Sequence, residues 1–538
     1  ALRFRDSPQL RDLCRLRSVT ADGAERSRLS GIIFRTRGRE RKEWFRGLWS
    51  QAAAGNWRAR QVLLRPRCRT GGVRHLSTHL GSSHLAAQAV RDHFAQRFRS
   101  SSPPVHPFDG WPWHSIDLSE ELPIGTQELS SHLMKVKRGK TSGLSQISGD
   151  ALLAIAGVPE GKEMLRRVMW DLIRRPEDLP TIATDGVACL VPKVPMVVAP
   201  EQIRPIVLTC SLLKLTARVA STRVLLDWPV PHELMARPGS QVAEASFVAR
   251  TMVQQTVAAN DSTIFVKLDI QAAFDSLDHL TLFRYLQYFY RPRHCCSCRF
   301  LAYIIAHQTL LFDFDEDSWS QDLRSGCVQG GTHSPVLFSR LFAIVMGALR
   351  ERWSDEGESA PFLHVAGPLW GILFVDDGVI AFRDWPQFLR LWPRLQSELA
   401  QIGLAVNEQK TKLMGPVPRL RPAWCQQMQL VQQFTFLGVP FRLQHPDDHV
   451  QEALLARATR AFMSNRRLLV HPEAFIEDRM PLLSTLVFST MAWTLGVLMP
   501  LVPTVQRFRV QHIAFLVWML GLTRHPSWQD GRQWVQIR

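Results

Sequence analysis

The chain has 538 residues, a net charge of +17 and an apolar content of 46%. This length is too great for one compact domain, so about two to four are expected, and the apolar content excludes a wholly disordered chain. The positive charge is concentrated, because residues 1–100 hold 22 Lys and Arg against 7 Asp and Glu, and all of these bases except Lys42 are arginine. Arginine suits bidentate contact with phosphate, so this segment predicts contact with nucleic acid, with a solvated basic linker as the alternative.

The nine cysteines show no disulfide spacing, and most lie in apolar stretches, which indicates a reducing compartment. Cys295, Cys296 and Cys298 follow His294 and raise zinc as an alternative, but adjacent cysteines are poor co-ligands, so we predict a buried helix. No signal-peptide pattern is present, and an intracellular location in the nucleus, the cytoplasm or both is expected. The chain begins with Ala1 rather than Met, so we expect a fragment of a longer product.

The N-terminal part combines one clear helix with a linker. Val90, Phe94 and Phe98 recur at helical spacing and predict a helix over 84–98, and the Pro- and Ser-rich stretch 100–117 predicts a linker. We divide the chain into three predicted regions: an Arg-rich extension and linker (1–125), a central region (126–440) and a helical C-terminal region (441–538).

Helices and strands alternate through the central region, which predicts an α+β fold with a mostly antiparallel sheet. The Asp-rich interval from Leu311 to Leu323 suggests a loop insertion. Further along, the uncharged stretch from Pro481 to Gln506 is long enough to raise a membrane span, but its prolines favour a buried core helix. The main predicted elements of the central region are a short strand followed by a Pro-bounded loop within 188–198, strands at 204–208 and 264–269, helices at 214–226, 336–349 and 385–402, and a hairpin at 370–382.

Two adjacent carboxylates at the tip of that hairpin, Asp376 and Asp377, are the most informative feature of the chain. Like charges side by side are costly unless cations neutralise them. A third acid, Asp269, closes the strand at 264–269. Two strand ends that carry Asp269 and Asp376 predict a clamp for two Mg²⁺ ions, as nucleotidyl transfer requires.

Neighbouring residues predict a nucleotide site around this clamp. Ile270 offers a backbone carbonyl beside Asp269, and Phe274 is placed to pack against a sugar, where it would exclude a 2′-hydroxyl; core packing is the alternative for Phe274. Gln329 lies in a glycine-rich loop that approaches a ligand closely and predicts a hydrogen bond to a nucleotide or template base. That loop leads into a helix, for which Ser334 and Pro335 predict the N-cap and the first turn.

Two later segments complete the predicted site. Lys410 supplies a cation that would act as general acid or charge clamp at a pyrophosphate leaving group, with a solvated basic turn as the alternative. Phe436, Leu437 and Gly438 predict a tight hairpin that grips a primer end.

The order of these motifs resembles the reverse transcriptase domain of non-LTR retrotransposons, from about Leu129 to Val439. The resembling blocks are the fingers loop at 140–147, the fingers strands with Lys193 and Arg204, the first palm motif at 269–279, the second at 326–338, the metal-binding hairpin at 374–377, the next palm motif at 403–414 and the primer grip at 436–439.

The resemblance implies a right-hand polymerase of fingers, palm and helical thumb that copies an RNA template into DNA. It implies that Asp269, Asp376 and Asp377 hold two Mg²⁺ ions, for which Mn²⁺ can substitute, and that Lys193 and Arg204 meet the triphosphate. The implied partners are an RNA template, a DNA primer and dNTPs, without a membrane. No endonuclease is visible in the chain.

The chain also departs from the family pattern, and this keeps a second function open. Ser142 to Gln146 replaces the usual Pro-Gly-x-Asp-Gly, and Gly331-Thr332-His333 replaces Cys-Pro-Leu. The alternative is a catalytically inactive RNA-binding scaffold with a polymerase-like fold, which retention of the three aspartates disfavours. A third possibility, RNA-dependent RNA polymerase, is disfavoured by Phe274.

Overall fold

The structure is a computed structural model that describes residues 4, 6–56, 59, 63, 73–99, 120–237, 240–418, 421–444, 446–471, 474–495, 502–524 and 534–536. The predicted linker at 100–117 lies outside these residues. The chain divides into two compact units, one of residues 70–444 and the other of residues 1–69 together with 445–538. The three sequence-based regions stay a prediction.

Helices are numbered along the chain. They are α1 (Pro8–Val19), α2 (Gly23–Ala53), α3 (His75–Leu80), α4 (Ser83–Arg97), α5 (Thr126–Leu133), α6 (Gly149–Ile155), α7 (Pro159–Arg174), α8 (Thr181–Thr184), α9 (Ser211–Leu225), α10 (Val242–Ala259), α11 (Ala273–Ser276), α12 (His279–Tyr288), α13 (Cys295–Ala306), α14 (Ser334–Asp355), α15 (Trp385–Gln401), α16 (Pro446–Ser464), α17 (Arg466–Leu469), α18 (Ile476–Leu483), α19 (Ser489–Leu495) and α20 (Val502–Leu520).

Strands are numbered in the same way. They are β1 (Gly186–Pro192), β2 (Ile203–Leu208), β3 (Ile264–Leu268), β4 (Thr309–Phe314), β5 (Asp317–Asp322), β6 (Phe362–His364), β7 (Gly367–Leu369), β8 (Gly371–Phe374), β9 (Asp377–Phe382), β10 (Lys412–Met414), β11 (Gln429–Leu430), β12 (Gln433–Phe436), β13 (Val439–Arg442), β14 (Leu522–Arg524) and β15 (Trp534–Gln536).

The central sheet of the larger unit has five strands in the order β11-β10-β3-β9-β8. Strand β3 pairs antiparallel with both β9 and β10, and β8 and β9 form an antiparallel hairpin, so the predicted mostly antiparallel α+β fold is confirmed. The apolar residues of β3 are fully buried because helices such as α14 cover the sheet. Burial on both sides holds the strand ends in fixed positions.

A second sheet of four strands, in the order β2-β1-β4-β5, carries the N-terminal helix α4. Phe94 of α4 stacks on Phe312 of β4 with ring centroids 5.3 Å apart, and Phe98 is buried in the same core. The helix predicted over 84–98 is therefore confirmed, and it packs on this sheet.

The prediction of a loop insertion at 311–323 is wrong, because this interval forms the hairpin β4–β5 of the four-stranded sheet. Leu310, Phe312 and Phe314 alternate along β4 and are buried, whereas Asp313 points to solvent. The aspartates occupy the exposed face and the turn of a two-sided strand pair, so their number does not indicate a loop.

In the smaller unit, helix α2 packs against the C-terminal helices. The indole of Trp49 donates to the carbonyl of Leu468 at 3.4 Å, and Ser50 donates to the carboxylate of Asp478 at 3.2 Å. The guanidinium of Arg46 lies 5.3 Å from the ring centroid of Phe475. One face of α2, which belongs to the Arg-rich segment, is thus buried in the core of the smaller unit.

The uncharged stretch from Pro481 to Gln506 contains the end of α18, a π-helical turn at Ser484–Phe488, α19 and the start of α20, while residues 496–501 lie outside the described part. Leu483 and Val487 are buried. In the described part of the chain, helices fall short of the length and apolarity that a membrane crossing needs.

Candidate active site

Three carboxylates lie where the strands of the five-stranded sheet end. The register pairs Leu268 with Gly378, so Asp269, one residue beyond β3, lies beside Asp377 at the start of β9. The hairpin turn between Phe374 and Asp377 consists of Val375 and Asp376. The predicted hairpin and its meeting with the strand of Asp269 are therefore present.

This turn is strained at Val375, whose φ is +60°. A β-branched residue rarely adopts the left-handed region, and such backbone costs on the order of 1–3 kcal/mol. This conformational strain lies in the turn that places Asp376 at its tip.

The electrostatics of the site follow from three like charges and one lysine. Partial burial of its carboxyl group raises the pKa of Asp376 above the ordinary value, and Asp377 and Asp269 raise it further, whereas a backbone hydrogen bond and Lys267 lower it. Lys267 of β3 donates to the carboxylate of Asp377 at 2.7 Å. Like-charge repulsion is thus only partly compensated by the protein.

Oxygen donors of this kind suit Mg²⁺, and a divalent cation would relieve the repulsion that raises the pKa of Asp376. Among the described residues, Asp269, Asp376 and Asp377 do not bring their ligand oxygens within 4.8 Å of one another as a set. Lys267 holds Asp377 to one side. Because Asp377 is paired with Lys267, Asp269 and Asp376 are the donors that would hold a divalent cation.

The segment that carries Lys410 docks directly on Asp269. Asn407 donates its backbone N–H to the carbonyl of Asp269 at 2.8 Å, and the N–H of Asp269 donates to the hydroxyl of Thr411 at 3.2 Å. Ile270, buried next to Asp269, forms an isolated bridge with Val406. Lys410 precedes the fully buried Thr411 and is itself exposed, so its ammonium group extends from a loop that is anchored at the acids.

Four cations from separate parts of the larger unit lie near each other. Partial burial of its ammonium group lowers the pKa of Lys193, and Arg97, Arg204 and Lys410 lower it further, while Asp275 opposes them. Lys193 donates to the carbonyl of Glu201 at 2.7 Å, and Arg204 is exposed on β2 opposite Val191. This group is named the cation cluster and consists of Arg97, Lys193, Arg204 and Lys410.

Phe274 and Gln329 meet around Asp275. The ring of Phe274 packs on Phe338 with centroids 4.9 Å apart and stays partly exposed, so it has a place both in the core and at the surface of the site. The amide of Gln329 donates to the two oxygens of the Asp275 carboxylate at 3.3 and 3.4 Å. The side chain of Gln329 therefore points to Asp275.

The predicted primer-grip residues form a two-residue hairpin turn. Phe436 pairs with Val439, and Leu437 and Gly438 have φ values of +48° and +78°. Phe436 is fully buried, and β12 contacts β9 and β10. The tight hairpin is present beside the central sheet.

Sequence reasoning missed Lys267, Thr411 and Arg97. Lys267 has a signal, because it is a charged residue in an apolar strand and alternation puts it on the same face as Asp269. Thr411 and Arg97 have no such signal, since each acts through a partner more than a hundred positions away.

The cysteine cluster is a buried helix, as predicted. Cys295, Cys296 and Cys298 lie on α13 and are buried. Glu121, Cys295 and Cys296 bring possible metal ligands within 4.8 Å of one another. Arg223, however, donates to Glu121 at 3.0 Å, so a guanidinium already supplies the positive charge there. The cluster fits a metal poorly.

His333 of the glycine-rich loop is buried, and neither ring nitrogen has a hydrogen-bond partner among the described residues. Burial lowers its pKa to about 4. Helix α14 begins at Ser334 with His333 as N-cap, so the prediction that Ser334 caps the helix is wrong. The Ser334 hydroxyl is buried without a partner among the described residues, since the chain turns helical one position earlier.

Replacing His333 by Leu is expected to raise the free energy of unfolding at pH 7 by about 1–3 kcal/mol, because two buried, unpaired nitrogens are removed. The pKa of His333 in the folded state lies below the ordinary value of 6.5. The unfolded chain therefore binds more protons between pH 6.5 and 4, and wild type loses stability as the pH falls through this window. The variant lacks this loss.

Denaturant unfolding at pH 7 and pH 5 measures both effects. His79→Leu, at an exposed position, is the matched control and should change stability by less than about 0.5 kcal/mol. Equal pH dependence in wild type and His333→Leu would contradict the prediction.

The five-stranded sheet with acids at neighbouring strand ends, and a second sheet that contributes cations, define the palm and fingers of a right-hand polymerase. Residues 191–441 match the family described as reverse transcriptase (RNA-dependent DNA polymerase). The chain is also 24% identical over 254 residues to the retrovirus-related Pol polyprotein from type-1 retrotransposable element R2 of Nasonia vitripennis, with 46% of this chain covered. Residues 191–441 therefore resemble a reverse transcriptase domain, and the similarity to the R2 polyprotein supports the non-LTR retrotransposon type.

The match spans 24% of the length of that curated relative. Among solved structures, apo telomerase from Candida tropicalis is 11% identical, with 81% of this chain and 80% of that chain covered and a TM-score of 0.38. A form of that telomerase truncated from the C-terminal domain is 13% identical, with coverages of 67% and 76% and a TM-score of 0.36.

Proposed function

We propose that this chain is an RNA-directed DNA polymerase of a non-LTR retroelement, which adds dNTPs to the 3′-hydroxyl of a DNA primer on an RNA template. The observation that carries the proposal is the meeting of Asp269 and Asp376 at adjoining strand ends, close enough for Asp269 to raise the pKa of Asp376. Acids in this arrangement can hold the metal ions of phosphoryl transfer, whereas without cations their mutual repulsion destabilises the fold.

Asp269 and Asp376 would hold two Mg²⁺ ions, or Mn²⁺ in their place, and Asp377 would assist. Bound ions of this kind supply charge neutralisation at the triphosphate and a more acidic primer hydroxyl. Thr411 and Asn407 fix the backbone of Asp269 on both sides of its Cα, so its carboxylate is presented from rigid chain. Lys267 holds the Asp377 carboxylate in an ion pair.

Three members of the cation cluster, Lys193, Arg204 and Lys410, are proposed to bind the triphosphate. Lys193 and Arg204 extend from the β1–β2 region, and Lys410 extends from the loop that is docked on Asp269. Burial lowers the pKa of Lys193 and repulsion from the neighbouring cations lowers it further. A phosphate group between these cations would relieve that repulsion. Lys410 would give a proton to pyrophosphate or clamp its charge.

Phe274, Ile270 and Gln329 are proposed to complete the nucleotide site. The partly exposed ring of Phe274 would contact the sugar face, and the carbonyl of Ile270 would assist at the ions. Gln329 would touch the nucleotide from the far side of Asp275. The hairpin of Phe436, Leu437 and Gly438 would hold the primer end, and the Arg-rich segment would contact template RNA.

A reducing compartment, the nucleus or the cytoplasm, is proposed for this activity. The eight cysteines that the structure describes form no disulfide with one another, and six of them are buried.

The test of the function is extension of a labelled DNA primer on an RNA template with dNTPs and Mg²⁺. Extension that depends on template and metal supports the proposal, and its absence with both Mg²⁺ and Mn²⁺ contradicts it. RNA binding without extension would support the inactive scaffold instead. The ion pair between Lys267 and Asp377 favours that scaffold, because it occupies one of the three carboxylates.

Phe274→Val is expected to lower the preference for dNTPs over rNTPs by about 10- to 100-fold, because the smaller side chain leaves room for a 2′-hydroxyl. Single-nucleotide incorporation with each substrate gives this ratio of kcat/KM values. Phe247→Val, on the exposed side of α10, is the control and should leave the ratio unchanged. An unchanged ratio in Phe274→Val would assign that ring to the core alone.

A further inference from the structure

Arg97, the last residue of α4, makes a buried ion pair with Asp275 of the palm. Its guanidinium lies 2.5 Å from the Asp275 carboxylate, and the side chains of Arg97 and Asp275 are 14% and 2% exposed. Helix α4 lies far upstream of the motifs that resemble a polymerase, yet it reaches the residue that directly follows Phe274. This is a contact between the N-terminal segment and the proposed nucleotide site.

Asp275 joins three parts of that site. Its carboxylate accepts from the amide of Gln329, and its backbone carbonyl accepts from the hydroxyl of Ser325 at 3.0 Å. Cys327 donates its N–H to the carbonyl of Phe274 at 2.6 Å. The position of Asp275 therefore fixes both the turn that carries Phe274 and the glycine-rich loop that carries Gln329.

Charge balance explains why Asp275 needs Arg97. Burial raises the pKa of the Asp275 carboxyl, while Arg97, Gln329 and Lys193 oppose that rise. Besides Arg97, Lys193 is a cation that acts on the Asp275 carboxylate, and Lys193 belongs to the proposed triphosphate site. Without Arg97, the carboxylate would draw Lys193 away or take up a proton. In the second case Gln329 would lose its anionic acceptor.

We propose that Arg97 is a positioning residue of the nucleotide site, which neutralises Asp275 so that Gln329 and Phe274 stay in place and Lys193 stays available for the triphosphate. This inference rests on the proposed polymerase function. By this inference α4 is part of the site for the incoming nucleotide. Loss of the Arg97 side chain should therefore weaken dNTP binding more than binding of the template and primer.

Arg97→Ala is expected to raise KM for dNTP by about 10- to 100-fold, with KM for the template–primer duplex changed by less than about twofold. Steady-state extension at varied dNTP and varied duplex gives the two values. Arg91→Ala, at an exposed position of the same helix, is the matched control and should change neither. Arg97→Lys keeps the charge and should recover part of the dNTP affinity.

A second variant separates positioning from simple stability. Arg97→Met with Asp275→Leu removes both charges and keeps similar volume, which commonly preserves folding. We expect a wild-type melting temperature with KM for dNTP still raised, because Gln329 has lost its acceptor. Wild-type KM in this double variant would overturn the inference, since the pair would then serve only to attach α4.

The two proposals fail in different ways. If wild type extends primers and Arg97→Ala keeps its KM for dNTP, the inference fails and the polymerase function stands. If wild type does not extend, the function fails, and the dTTP-dependent rise in melting temperature with Ca²⁺ decides the inference. A rise in wild type that Arg97→Ala loses supports it, and a rise in both variants, or in neither, overturns it.

Discussion

Asp376→Asn is expected to abolish primer extension, by on the order of 10³-fold or more in kcat, without lowering the melting temperature. The activity is lost because the amide cannot supply the charge that would hold a divalent cation at the hairpin tip. The fold is kept because the change removes one of three neighbouring negative charges. Burial raises the pKa of Asp376, and Asp377 and Asp269 raise it further. Active sites often lower the stability of the fold in return for activity.

The measurement pairs a single-turnover extension assay with thermal unfolding in the presence of EDTA. Asp261→Asn is the matched control, because Asp261 is an exposed acid in the loop just before β3. It should keep full activity. Asp269→Asn should behave like Asp376→Asn, and residual activity above about a tenth of wild type in either variant would contradict the metal role.

Gly326→Ala is expected to reduce extension by about 100-fold and to lower the free energy of unfolding by about 3 kcal/mol or more. Gly326 has a φ of +81°, and a Cβ there would lie 2.5 Å from both the Cα of Asp275 and the carbonyl oxygen of Phe274. These atoms belong to backbone that cannot move without displacing the turn after Asp269. Stability and activity should therefore fall together.

Gly357→Ala separates the two causes of that effect. Gly357 has nearly the same φ, +86°, but a Cβ there would meet nothing within 4 Å. Its cost is the left-handed backbone alone, about 1 kcal/mol, and extension should be unchanged. Equal losses of stability in the two variants would show that backbone strain, rather than the close approach to Asp275, makes Gly326 necessary.

The sequence alone determined the parts of the protein that depend on local pattern. Alternation and turn chemistry predicted the hairpin with Asp376 at its tip, and helical spacing predicted α4. The order of the motifs indicated a reverse transcriptase domain without reference to any tertiary contact. These features are set by residues within about ten positions of each other, so one-dimensional periodicity carries them.

The prediction from local pattern was wrong where it relied on composition and the strand pairing was unknown. Asp-rich 311–323 suggested a loop, although β4 buries Leu310, Phe312 and Phe314 against α4 and the neighbouring strand. A strand with one exposed face tolerates aspartates there, and only knowledge of its partners distinguishes it from a loop.

Tertiary structure alone decided which distant residues share the site. Arg97 and Asp275 are 178 positions apart, and Asp269 and Thr411 are 142 positions apart. These contacts form only when α4 and the 403–414 segment pack on the rest of the fold. The pairing of Lys267 with Asp377, rather than with its neighbour Asp269, follows from strand register. Burial makes these partners necessary, because a charge removed from water must find its opposite within the folded chain.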